Sequence, residues 1–131
     1  MEKHPSFIES LNSGLGNFPH QSIYPDPQQW KEIDAHWSGL QYLGIVLDFT
    51  EDCLLCHHEE RAFSFSVPYD KADSEELHRE LFAALRKSFG GFRDVYLGAI
   101  FLPSREVATL FTSFKALLSI CTNISRLQTI H

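Results

Sequence analysis

Between Phe63 and Val67 the chain alternates strictly, Phe63-Ser64-Phe65-Ser66-Val67, and soon afterwards the period changes. Leu77, Leu81, Phe82, Leu85 and Phe89 recur at three- and four-residue spacing. Period two describes a strand with one wet face, and the longer period a helix with one apolar stripe. Each element leaves apolar surface that the other can cover. The chain is thereby constrained to a mixed domain in which helices shield a sheet.

The remaining segments fit that frame. Pro5 to Leu11 can form a short helix stopped by Asn12-Ser13-Gly14, and 14–27 is rich in Gly, Pro, Asn and Ser, the composition of a surface loop. Phe18, Ile23 and Tyr24 within it suggest that the 1–27 segment packs on the core. Asp26-Pro27 with Gln29 is a helix start, and Trp30, Ile33 and Trp37 then share one face up to Ser38-Gly39. Leu40 to Phe49 reads as a central strand, Thr50-Glu51-Asp52 as a turn, and Cys53 to His57 as the returning strand. Asp73 or Ser74 caps the helix Glu75 to Phe89, which Gly90-Gly91 stops. Phe92 to Leu102 reads as a fourth strand. Pro103-Ser104 opens a last helix with Val107, Leu110, Phe111, Phe114, Leu117, Leu118 and Cys121 on its stripe. The expected fold is α+β and two-layered: a mainly antiparallel sheet of about four strands with helices packed on it, in a single domain over 1–131.

A chain of 131 residues with 44% apolar content can bury a core without disulfides or metals. No uninterrupted apolar run approaches the roughly 18 residues of a membrane span, so no membrane partner is expected. No apolar stretch follows Met1-Glu2-Lys3-His4-Pro5, which points to a cytoplasmic protein. Three cysteines, an odd number, suit a reducing compartment.

Charge is unevenly distributed. Residues 1–80 carry five Lys/Arg against fifteen Asp/Glu, a net of −10, whereas 81–131 carry six against two, a net of +4. An acidic balance argues against direct nucleic-acid binding, which needs a basic stripe for phosphates. Arg86, Lys87 and Arg93 read as a solvated helix end favoured by the helix dipole.

Cys53-Leu54-Leu55-Cys56-His57 has the spacing of a c-type haem attachment, and with His58 it offers soft ligands for zinc. In an extended strand, however, positions three apart face opposite sides, so Cys53 and Cys56 would not share one metal. A Cys-x-x-Cys redox pair lacks the helix cap or basic neighbour that lowers a thiol pKa. The preferred reading is two small apolar residues, with no cofactor. Asp48, Glu51, Asp52, His57, His58, Glu59 and Glu60 could serve acid–base chemistry, yet no nucleophile elbow, phosphate-binding glycine loop or His-Glu-x-x-His pattern accompanies them. The reading leans away from an enzyme. His4, His20, His36, His78 and His131 are scattered without ligand spacing.

The expectation that survives is a binding module whose acidic face covers a basic protein partner, since opposite charge steers association and aromatics anchor interfaces. A bacterial immunity protein that neutralises a basic toxin nuclease is the type that fits. Its contacts would come from Asp48, Glu51, Asp52, Glu59, Glu60, Asp70, Asp73, Glu75 and Glu76, with Trp37, Tyr42 and Tyr69 as anchors. Two alternatives remain: a metal or haem protein or small enzyme centred on Cys53, Cys56, His57 and His58, and a self-associating adaptor. The latter would dimerise through the uncharged face of the last helix, formed by Thr109, Thr112, Ser113, Ser119, Thr122 and Asn123.

Overall fold

A computed structural model describes residues 5–16, 27–90, 95–97, 100–102 and 105–128. The protein is α+β. Helices α1 (Phe7–Leu15) and α2 (Pro27–Tyr42) precede three strands, β1 (Ile45–Phe49), β2 (Cys53–His58) and β3 (Phe63–Pro68). A 3₁₀ turn (Tyr69–Lys71) leads to α3 (Glu75–Leu85), whose last turn widens into a π-helical segment, Arg86–Gly90. Strands β4 (Val95–Leu97) and β5 (Ile100–Leu102) precede the 24-residue α4 (Arg105–Gln128).

Strands β1, β2 and β3 form an antiparallel sheet in sequence order, so β2 is the central strand rather than β1. Register fixes the two faces. Ile45 opposite His58 and Phe63, Leu47 opposite Cys56 and Phe65, and Phe49 opposite Leu54 and Val67 form the core side. Helices pack on that side, with α1 and α2 against β1, α3 and α4 against β3, and α4 along α2.

Two aromatic groups anchor the packing. Trp37 is fully buried, its ring parallel to Phe49 at 5.4 Å and edge-on to Phe7 at 5.5 Å, while its indole N–H donates to the Pro5 carbonyl (3.1 Å). Gly14 lets α1 lie directly on β1, because a Cβ there would overlap the Phe49 carbonyl. Farther along, Phe63 meets Phe89 at 5.8 Å and Phe114 at 6.0 Å, joining sheet, π turn and α4. Edge-to-face and offset pairs of this kind add about 0.5–1.5 kcal/mol each beyond area burial.

Several boundaries differ from expectation, each for a local reason. Helix α1 runs to Leu15, capped by Ser6, whose hydroxyl accepts from the Glu9 N–H (3.2 Å), and ended by Gly16 at φ +61°. Helix α2 continues through Ser38-Gly39 to Tyr42, taking Leu40 to Tyr42 out of the expected strand. Gly39 is exposed with nothing packed on it, and a single helical glycine costs only about 1 kcal/mol. The effective stop is Gly44, at φ +92°. Ser74 caps α3, accepting from the Leu77 N–H (3.3 Å). Where a single fourth strand was expected over 92–102, β4 and β5 pair with each other, Val95 with Leu102 and Leu97 with Ile100, apart from the larger sheet.

Helix α4 is long and apolar enough, by length and composition alone, to cross a membrane, although polar residues interrupt its apolar ones throughout. Its stripe from Val107 to Ile124, extended by Ile120 and Ile124 beyond the residues expected, is buried in the core, whereas Phe111, expected on that stripe, is only half-buried. On its uncharged face Ser113 accepts or donates a hydrogen bond with His36 of α2 (3.1 Å), so α2 covers that part. Thr112 and Thr122 donate to the carbonyls four residues back, while Thr109 and Ser119 stay exposed. Of the expected 14–27 loop, Gly14 and Leu15 belong to α1 and Pro27 opens α2; its 17–26 part, with Phe18, Ile23, Tyr24 and the Asp26 cap, lies outside the described residues, as do His4, His20, Arg93, the Pro103-Ser104 start and His131.

Candidate protein-binding surface

The sheet face turned away from the helices is open. Val46, Asp48, Cys53, Leu55, His57, Ser64, Ser66 and Pro68 occupy it by register, with Asp48 opposite Leu55 and Ser66, and His57 opposite Ser64. Leu55 is 40% exposed near the middle. Serine, histidine and aspartate thus share one surface, but none of the described hydrogen bonds joins them, and the side chains of Ser64, Ser66, His57 and Asp48 are exposed. Among the described residues, nothing there shields a reacting group or orients a base.

The acidic residues fall into two groups at opposite ends of the β1–β2–β3 sheet. Glu51 and Asp52 form the exposed β1–β2 turn. Thr50 builds that turn: its hydroxyl accepts from the Asp52 and Cys53 N–H groups (3.3 and 3.1 Å) and lies 2.9 Å from the Cys53 carbonyl. The 3₁₀ turn is held beside it, the Tyr69 N–H donating to the Asp52 carbonyl (3.2 Å) and the Tyr69 hydroxyl to that of Thr50. Asp70 therefore joins Glu51 and Asp52, and Asp73, Glu75 and Glu76 follow at the start of α3, all exposed. From α4, Gln128 donates to the Glu51 carbonyl (3.1 Å). An open notch of about 690 Å³, lined by Ser13 to Gly16, Glu51, Asp52 and Gln128, lies where α1 and α4 end. Helix C-termini carry partial negative charge, which adds to that of the two carboxylates.

Glu59 and Glu60 lie in the β2–β3 turn, at the other end of a six-residue strand, roughly 17–20 Å away. Tyr42 (91% exposed) and Leu43 are on this end, since Leu43 hydrogen-bonds His58. Asp48 lies on the open face between the two groups. Among the described residues, no ion pair joins any of these nine carboxylates to a lysine or arginine. Arg61, next to Glu60, is committed elsewhere: its guanidinium donates to the Ser88 carbonyl (3.0 Å) and lies 4.7 Å from the Phe89 ring centre.

Two of the three expected anchors are not on this surface. Trp37 is fully buried between Phe7 and Phe49, and Tyr69 is only 2% exposed. Burial, followed by the Cys121 and Cys53 thiols, pushes the Tyr69 hydroxyl well above its ordinary range. Both rings went inward because each sits where a helix or turn crosses the end of β1. Tyr42 alone is placed to be an anchor, and the sequence reading missed Leu43 and Leu55. Parity could have found Leu55, since a strand that buries Leu54 and Cys56 must turn Leu55 outward.

The Cys53, Cys56, His57 and His58 set does not converge. Cys56 faces the core and Cys53 the open side; His57 faces water, and His58 is bound to backbone groups on the core side. Burial, then Cys53 and Asp48, pushes the Cys56 thiol up; Cys121 is pushed up by burial, then by Cys56 and Cys53. Protonated, enclosed thiols are poor nucleophiles and poor metal ligands. Among the described residues, no three His, Cys, Asp or Glu side chains are grouped to hold a metal ion.

No family model, curated protein or solved structure matches the chain.

Proposed function

We propose that the protein is a two-layer α+β module that binds a basic protein partner, acting as an inhibitor of the immunity type. The observation that carries this reading is the exposed acidic end of the sheet, Glu51, Asp52 and Asp70, with no internal cation to neutralise it among the described residues. Unpaired exposed carboxylates cost little in the folded protein and are free to meet cations on a partner. Beside them, the open sheet face presents Leu55 as an apolar contact with Asp48 opposite. Tyr42 and the Glu59-Glu60 turn extend the surface to the far end. A toxin nuclease, basic because it grips phosphates, is the partner class with matching charge.

The test compares the two ends. Glu51→Lys with Asp52→Lys, and separately Glu59→Lys with Glu60→Lys, are assayed for association with the basic partner obtained by affinity capture from native cells. Both are measured at about 50 and about 300 mM salt. The first pair should slow association more than tenfold at low salt and flatten its salt dependence, because steering is screened as the Debye length shrinks. An association rate and salt slope equal to those of the unaltered protein in both variants would remove this surface from the interface.

A further inference from the structure

His58 is held by three hydrogen bonds that assign its protonation state. Its Nδ1 lies 3.1 Å from both the Glu60 and the Arg61 backbone nitrogens, whose N–H groups point at it, so Nδ1 carries a lone pair and no proton. Its Nε2 lies 3.1 Å from the Leu43 carbonyl oxygen, an acceptor only, so Nε2 carries the proton and donates. The ring meets Phe89 edge-on at 5.7 Å. Gly44 leaves room for it, since a Cβ there would press on Nε2. One neutral imidazole thus ties together the end of α2, the β2–β3 turn and the π-helical segment.

We propose that His58 is a pH-sensitive latch on the β2–β3 turn, closed when the ring is neutral and opened when Nδ1 takes up a proton. A proton on Nδ1 removes the acceptor of two backbone N–H groups and sets a third N–H against them. The Nε2 donation to Leu43 survives, so the effect is local to Glu59–Ala62. Histidine is the side chain whose charge ordinarily changes between pH 5 and 8. The sign follows from the geometry: the folded turn requires the neutral ring, so the latch is held at higher pH and lost as pH falls.

Charged residues lie on the elements around the ring. Glu59, Glu60 and Arg61 are the charged residues of its own turn, and Arg86 and Lys87 those of the 86–90 segment that packs on the ring through Phe89, while Leu43-Gly44, Ile45 and Phe63 contribute no titratable group. Because the turn carries Glu59 and Glu60, opening it would alter how one end of the acidic surface is presented. The latch itself does not rest on the partner reading, and its readouts need no partner.

The experiment is ¹⁵N NMR of the full chain at pH 7.5 and pH 5.5, with His58→Asn as the comparison, since the asparagine oxygen can accept from the same two N–H groups at either pH. In the unaltered protein the His58 ring should show Nδ1 unprotonated at pH 7.5. At pH 5.5 the Glu60 and Arg61 amides should lose at least tenfold in protection from exchange, with the β1–β2 amides unchanged. His58→Asn should show no such pH-dependent loss. Equal protection at the two pH values in the unaltered protein, or the same loss in His58→Asn, would overturn the proposal. Should the variant fail to fold, the ring nitrogen signals and the amide protection of the unaltered protein decide it alone.

Discussion

The two faces of the three-stranded sheet are built from the same strands and behave as different materials. On one side Leu47, Phe49, Leu54, Cys56 and Val67 are buried against four helices. On the other, Asp48, Leu55, His57, Ser64 and Ser66 stand in water. Parity alone decides which side a residue joins, so neighbours in sequence have opposite roles. Cys53 and Cys56 carry the same chemistry three positions apart, one accessible and one sealed. The lesson is that stability resides on the helix-covered face and freedom to change on the open one.

Substitutions can break that contrast. The largest effect should come from Trp37→Ala, which empties the space between Phe7 and Phe49 and removes one of the two hydrogen bonds to the Pro5 carbonyl, leaving that from Gln41; a loss of about 3–5 kcal/mol is expected in urea denaturation. Cys56→Ser exchanges a buried thiol for a hydroxyl that must find a partner among apolar neighbours and should cost about 1–3 kcal/mol. At the small end, Leu55→Ser should move stability by no more than about 0.5 kcal/mol while weakening any docking on the open face. A Leu55→Ser penalty as large as that of Cys56→Ser would mean that the open face is not open.

Much of this was legible in the sequence. The Phe63-Ser64-Phe65-Ser66-Val67 alternation placed β3, and the spacing from Leu77 placed α3, with Ser74 the cap of the two candidates; its end at Leu85, followed by the π-helical 86–90 segment rather than a helix to Phe89, was not legible. The placement of Cys53 and Cys56 on opposite faces followed from strand geometry. Other features depend on tertiary proximity and left no local mark. Gly39 and Gly44 look alike in sequence, and only the folded chain, with Gly44 at φ +92° against His58, shows which one turns it. Trp37 and Tyr69 resemble interface aromatics, yet α1 and the β1–β2 turn enclose them. The division of the acidic residues between the two ends of the sheet required the register of β2, and the bonds that fix His58 required Leu43 and the 59–61 turn to meet.

The central proposal is that a basic partner docks on the β1–β2 turn and the open sheet face beside it. Hydrogen exchange of the complex with that partner, compared with the free protein, tests it most directly. Protection should appear at Glu51–Cys53, Asp70 and the β2 amides around Leu55, leaving the exposed side of α4 around Thr109 and Ser119 unchanged. Protection confined to α3 and α4, with none at the β1–β2 turn, would contradict it.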